Sequence, residues 1–224
     1  MRFCAASEQS LLVYLAEEIG NLAHQRVVQL LRALQKEPIP WIRNIQPAYC
    51  SLLITFDAAV VDHSEVQTKI IEYAKRAEGL ILAEPRLVEI PVCYGGEFGP
   101  DLQDVATTRG LPVEKVIEFH AAPSYHSYFL GFAPGFAYLG DLPLELTMPR
   151  LDTPRKAVAA GSVAIAGRQT AVYPFATPGG WRLIGRTPLE IFRNDREPMG
   201  LIAIGDRVKF KPITREEFTA TRRP

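Results

Sequence analysis

Apolar and polar positions alternate in two different rhythms along this chain. Leu11-Leu12-Val13-Tyr14-Leu15 is a short apolar run of strand length. From Asn21, an N-cap residue, Val27, Leu30, Leu31 and Leu34 recur at helical spacing, with Gln25, Gln29, Arg32 and Lys36 on the opposite face. Pro38 and Pro40 stop that helix, because proline has no amide hydrogen and clashes with the preceding turn. Two strands are expected next, Trp41 to Ile45 and Leu52 to Phe56, joined by Gln46-Pro47-Ala48. Val66, Ile70, Tyr73, Ala74 and Ala77 mark a second helix from about Ser64, closed near Gly79, and Arg86 to Val92 reads as a further strand. This β-α-β-β-α-β order is that of a ferredoxin-like split motif, so an α+β domain is expected over residues 1–88.

Beyond residue 89 the rhythm changes. Asp101 to Arg109 and Pro112 to His120 read as two short helices, and thereafter proline and glycine cluster at 131–140 and 174–185. Short apolar runs separate the clusters: Tyr128 to Leu130, Ser162 to Ala166, Thr170 to Tyr173, Arg182 to Ile184, Leu189 to Phe192 and Arg207 to Phe210. Many short strands between turn residues predict a mainly β domain, closed or sandwiched, over 89–224, with the helical pair at its start. Thr219 to Pro224 is expected to be a frayed tail.

Composition narrows the function classes. The 224 residues are 47% hydrophobic and 22% charged, with 25 basic and 25 acidic side chains, so no net field favours nucleic acid or an anionic membrane. No apolar stretch approaches the roughly 20 residues of a membrane span. Cys4, Cys50 and Cys93 are scattered, the usage of a reduced, cytoplasmic protein. The paired short helices have helix-turn-helix grammar, but Glu114 and Glu118 offset Lys115 on the helix that would approach phosphates. Gly95-Gly96-Glu97-Phe98-Gly99 follows a strand as a phosphate loop would, yet lacks the lysine and hydroxyl that hold phosphates and magnesium. The four histidines show no metal-ligand spacing with cysteine or carboxylate, and no metal is expected.

Candidate chemistry gathers between Arg150 and Arg186. Arg155, like Arg150, offers a fork matched to carboxylate or phosphate, and Gln169 offers an amide donor and acceptor. Thr177-Pro178-Gly179-Gly180-Trp181 places an aromatic face after two glycines that admit a ligand to the backbone. Barrel corners use the same residue types, with the tryptophan in the core and the arginines at the surface. Ser162 lies in Gly-Ser-Val-Ala and not in a nucleophile elbow. Histidine as a residue type titrates near neutrality, so His120 and His126 are acid/base candidates, or core histidines.

Gly131-Phe132-Ala133-Pro134-Gly135-Phe136-Ala137-Tyr138-Leu139-Gly140 resembles the G-F-x-P-G-F-x-Y-L-G segment of the 5-oxoprolinase B-subunit family, also named after the first subunit of allophanate hydrolase and a sporulation kinase inhibitor. Gly161 to Thr170, Tyr173-Pro174, Thr177 to Trp181, Ile184-Gly185 and Thr187 continue the resemblance in order, and Glu89 to Gly96 and Gly99 to Leu102 are similar to the family's domain junction. The resemblance implies a ferredoxin-like domain followed by a cyclophilin-like β-barrel, within a carboxyltransferase-like assembly. It also implies a larger carboxyltransferase-like subunit and a third subunit as partners, ATP consumed by the complex, and a small lactam or amide as substrate. The function implied is the opening of 5-oxoproline to glutamate. The alternatives are inhibition of a sporulation histidine kinase and a role in allophanate or urea processing. His120 falls where the family has histidine and heads the catalytic candidates. Arg155, Ser162, Gln169, Tyr173, Gly179, Gly180 and Trp181 are the substrate-binding candidates.

Overall fold

Leu11 and Val13 are wholly buried between half-exposed neighbours, the period-two signature of a strand with one face on a core. In the computed structural model, which describes residues 1–221, this strand belongs to the first of two units, Met1–Glu84. Its elements are β1 (Arg2–Ser7), β2 (Ser10–Tyr14), α1 (Asn21–Lys36), β3 (Ile42–Pro47), β4 (Ser51–Phe56) and α2 (His63–Ala77). The four strands form one antiparallel sheet in the order β1-β2-β4-β3. Helix α1 buries Val27, Leu30, Leu31 and Leu34, and α2 buries Val66, Ile70, Tyr73 and Ala77, the stripes expected from their spacing. A capping box starts α2: the Asp62 carboxylate accepts the Glu65 amide at 2.9 Å, and the Glu65 carboxylate accepts the Asp62 amide at 2.9 Å.

The order β-α-β-β-α-β would return Arg86–Val92 to this sheet. Instead that strand, β5 (Leu87–Tyr94), enters the second unit, which begins at Pro85, and β1 pairs with β2 at the sheet edge. Strand β1 escapes pattern reading because nearly all its side chains are exposed, so no alternation marks it. The division expected at 88/89 falls inside β5.

The second unit continues with α3 (Leu102–Arg109), α4 (Val113–Ala121), β6 (Tyr125–Leu130), β7 (Ala137–Gly140), a 3-10 turn at Leu144–Leu146, β8 (Arg155–Val158), β9 (Ser162–Ala166), β10 (Gln169–Val172), β11 (Thr177–Gly179), β12 (Arg182–Arg186), β13 (Arg207–Pro212) and α5 (Arg215–Thr221). Seven strands close a barrel in the order β10-β7-β6-β13-β5-β12-β9, parallel only between β5 and β13. The expected β closure is therefore present. Strands β8 and β11 form a separate two-stranded ribbon. Ile90, Val163, Ile165, Val172, Ile184, Val208 and Phe210 fill the interior, and Leu102, Val105, Ala106 and Val116 of α3 and α4 join the same core. Leu189 to Phe192, expected as a strand, is not one: Leu189 gives its amide to the Thr187 hydroxyl, and Phe192 makes only an isolated bridge to Gly200. Of the expected tail, Thr219–Thr221 belong to α5, and residues 222–224 lie outside the described residues. No helix among the described residues is long and apolar enough to cross a membrane.

Gly99 fixes how the β5–α3 turn meets the barrel. A Cβ at this position would overlap the Ile184 carbonyl of β12, a backbone neighbour that cannot swing away. Gly99→Ala is therefore expected to lower the unfolding free energy by about 2–3 kcal/mol or more, read from urea denaturation. An unchanged midpoint would show that the turn is not packed on β12.

Candidate functional site

Strand β9 is buried along its whole length, on both faces. Val163 and Ile165 point into the barrel, whereas Ala164 and Ala166 belong to a second apolar layer on the outside. The neighbouring strands repeat this division: Leu139 against Tyr138 on β7, Val172 against Ala171 on β10, and Ile184 against Leu183 on β12. Period-two geometry thus gives one wall of the barrel an outer core, which also takes in Phe136, Val158, Tyr173 and Trp181. It is covered by the segment 131–136 and by the β8–β11 ribbon, which contributes Val158.

Aromatic rings knit the cover to the wall. Phe136 meets Tyr173 at 5.3 Å and Trp181 at 5.7 Å between ring centres, and Tyr138 meets Trp181 at 5.9 Å. Phe132 is 61% exposed and packs edge-on to Phe136 and Tyr173. Its φ of 70° is rare for a bulky residue. A Cβ on Gly179 would overlap the Tyr173 hydroxyl, so the ribbon lies directly against that phenol. Burial pushes the Tyr173 phenol up, while the Trp181 backbone amide and the nearby Arg150 and Arg155 guanidiniums pull it back.

Asp101, just ahead of α3, ties the ribbon to the barrel. Its Oδ2 accepts the Leu183 amide at 2.6 Å and its Oδ1 accepts Arg155 Nη2 at 2.6 Å. Arg182 makes a parallel ion pair with Asp104. The structure therefore brings together Arg155, Tyr173, Gly179, Gly180 and Trp181 of the residues singled out in the sequence. Ser162 is joined to them through its carbonyl, which accepts the Tyr173 amide at 2.9 Å. On its far side Gly161, Pro174, Phe175, Arg186 and Thr187 line a pocket of about 500 Å³. Gln169 pairs with Ala166 at the other end of β9, ~13 Å from Ser162 at strand rise, and shares the outward face of β10 with Ala171 of the outer layer.

His120 is outside this layer. The side chain is wholly buried in the barrel interior, between Tyr125 and Phe210. Its Nε2 lies 2.9 Å from Thr170 Oγ1, and that hydroxyl donates to the Ala164 carbonyl at 3.0 Å. The threonine oxygen thus accepts from His120 Nε2–H, which leaves Nδ1 to accept the Tyr94 hydroxyl at 2.7 Å. Both ring nitrogens are satisfied in the neutral form, and desolvation lowers the pKa to about 3.

Residues 1–202 match the family described as carboxyltransferase domain, subdomain C and D. The 5-oxoprolinase B-subunit of Bacillus subtilis (strain 168) is 39% identical over 227 residues, covering 95% of this chain and 93% of that protein. The 5-oxoprolinase B-subunit of Escherichia coli O157:H7 is 54% identical over 196 residues, covering 88% of this chain and 85% of that protein. This chain belongs to the 5-oxoprolinase B-subunit family. Among solved structures, TTHA0988 superposes with a TM-score of 0.81 at 34% identity over 92% of this chain, which spans 40% of that longer chain. The Kluyveromyces lactis urea carboxylase, at 19% identity, a TM-score of 0.78, and 97% and 22% coverage, shares the fold.

For a member of the 5-oxoprolinase B-subunit family, two of the segments that carried the resemblance, Gly131–Gly140 and Thr177–Trp181, meet in the outer layer. Phe136, Tyr138 and the buried Asp101 were not singled out as site residues. The switch of Ala137 and Leu139 to one face and Tyr138 to the other was a signal available in the sequence. The Gly95–Gly99 turn does not fit a nucleotide phosphate: the Gly95 amide goes to the Ile184 carbonyl, and those of Phe98 and Gly99 go to Gly95. Among the described residues no group of three His, Cys, Asp or Glu is placed to hold a metal ion.

The neutral state of His120 has a consequence for stability. Between about pH 3 and the ordinary 6.5, the native histidine binds fewer protons than the unfolded one. Its contribution is intact above pH 6.5 and is lost as pH falls through that window, by about 1.4 kcal/mol per unit. Between pH 6.5 and pH 5 the wild type is expected to lose about 2 kcal/mol more than His120→Gln, measured by urea unfolding at both values. Equal losses would mean that the imidazole is charged or solvated in the native state.

Proposed function

We propose that this chain is the smaller, carboxyltransferase-like subunit of an ATP-dependent 5-oxoprolinase, opening the lactam of 5-oxoproline to glutamate with a larger carboxyltransferase-like subunit and a third subunit. The observation that carries this reading is the convergence of two family segments, with Arg155 and Tyr173, on one aromatic layer outside the barrel. Relatives named as the 5-oxoprolinase B-subunit over nearly the full length support it. They do not favour the kinase-inhibitor or allophanate readings. We read the first unit as a ferredoxin-like domain whose closing strand is supplied by β1, and the second as a cyclophilin-like barrel domain. Three free cysteines support a cytoplasmic setting.

A lactam carbonyl is a poor electrophile, and phosphorylation of its oxygen at the expense of ATP makes ring opening accessible. This chain's part is to bind and orient. Arg155 supplies positive charge, Tyr173 a neutral donor, Gly179 and Gly180 room for close approach, and Trp181 with Phe136 an apolar wall that excludes water. His120 serves as a positioning group: its bond to Thr170 holds β10, and with it Tyr173, against β9. Ser162 acts through its backbone on the same strand pair.

Co-expression with the two partner subunits is expected to yield ATP-dependent glutamate formation that disappears when this chain is omitted. Full activity of the partners alone would refute the assignment. In the reconstituted complex Tyr173→Phe keeps the ring and removes one hydrogen bond. KM for 5-oxoproline is expected to rise about tenfold, the effect of roughly 1.4 kcal/mol. An unchanged KM would remove Tyr173 from the site.

A further inference from the structure

Two polar atoms beside the aromatic layer have no partner. Arg155 Nη1 and Thr177 Oγ1 are buried, and nothing among the described residues hydrogen-bonds to either. They belong to opposite strands of the ribbon. Arg155 pairs with Gly179 and Thr177 with Val158, so Arg155 and Thr177 are diagonal neighbours on one face. Val158 on that face is buried in the outer layer, and Gly179 lies against the Tyr173 hydroxyl, so this is the face turned to the barrel. Buried donors are almost always satisfied, because leaving one unmade forfeits its hydration with nothing in return. Two orphans on one face of one ribbon call for a common explanation.

Their chemistry indicates what is missing. A guanidinium N–H and a hydroxyl are donors facing an oxygen acceptor, and the guanidinium adds positive charge. Asp101 holds Arg155 through Nη2, and Nη1 is left buried without a partner. Arg150 adds a second positive field, felt at both Tyr138 and Tyr173. The ribbon that covers these donors is slight. Its strands have four and three residues, the register breaks between Thr177 and Gly179, and Pro178 has no amide hydrogen to give to the ladder. A two-stranded ribbon is marginal without packing.

We propose that the barrel-facing side of the β8–β11 ribbon is a carboxylate-binding site, with Arg155 Nη1 and Thr177 Oγ1 as donors, and that the ribbon lifts to admit the ligand. On the function proposed above, on which this identification of the ligand rests, the group bound is the carboxylate of 5-oxoproline. The two unmade hydrogen bonds make lifting of the ribbon cheap. The carboxylate satisfies both donors and closes the ribbon over the substrate.

Thr177→Val tests the proposal, because it replaces the hydroxyl by a methyl of the same shape. In the full chain the urea midpoint is expected to rise, since an unsatisfied buried oxygen is removed. A lower midpoint would show that the hydroxyl has a structural partner, and would overturn the site. Isothermal titration of the chain, alone and with its partner subunits, then compares 5-oxoproline with 2-pyrrolidinone, the same ring without the carboxylate. Wild type is expected to prefer 5-oxoproline, and Thr177→Val and Arg155→Lys to lose about tenfold of that preference. No preference in wild type, or a preference that survives both substitutions, overturns the site. A complex that lacks 5-oxoprolinase activity but shows the preference, and loses it on Thr177→Val, refutes the assigned function and keeps the site.

Discussion

A barrel wall that is apolar on both faces is the constraint on which the second unit depends. Ser162 to Ala166 are all buried, yet only alternate residues reach the barrel interior. The remaining side chains need a cover of their own, and no helix among the described residues joins that outer layer. The cover comes instead from the segment 131–136 and a short ribbon, elements that cannot bury much by themselves. They must approach the wall closely, and glycine permits it: a Cβ on Gly179 would overlap the Tyr173 hydroxyl. The glycine and proline clusters are thus the covering layer itself, and not only turns between strands.

This explains what was legible in the sequence and what was not. Helices α1 and α2 and strands β2 and β4 follow from hydrophobic rhythm, because each buries a regular stripe, and β9 and β10 follow as short, continuously buried apolar runs. Strand β7 was hidden inside Gly131–Gly140, where punctuation by glycine and proline dominates the local pattern. The ribbon strands were hidden because three or four residues with a register break carry no period. Strand β1 lacks alternation since it lies exposed at an edge. The transfer of β5 from the expected split motif to the barrel was beyond local reading. An apolar strand with Val88, Ile90 and Val92 inward suits either sheet, and only the long-range pairing with β12 and β13 decides.

The candidate site was legible to a similar degree. Arg155, Tyr173, Gly179, Gly180 and Trp181 come together because three segments converge on one wall. Gln169 and Ser162 sit in the same motif run yet at opposite ends of the layer, since a strand separates them by its own length. His120 shows the limit most clearly. Its type and its place in the family suggested proton transfer, but its surroundings are set by nearby Tyr125 and by Tyr94, Thr170 and Phe210, which are distant in the chain.

The protonation states of the barrel unit bear on what the outer layer can do. Burial raises the phenols of Tyr94, Tyr125, Tyr128, Tyr138 and Tyr173, and the Cys93 thiol, so each stays protonated near neutrality. His120 is neutral but sealed in the interior. The Asp101 carboxylate is committed to the Leu183 amide and to Arg155. The wall of aromatic rings therefore presents hydrogen-bond donors and positive charge, without a free base beside it among these groups. Such a surface holds an anion and excludes water, but it does not accept a proton from an attacking nucleophile. That suits the binding and orienting part proposed for this chain, with proton transfer left to other groups of the proposed assembly.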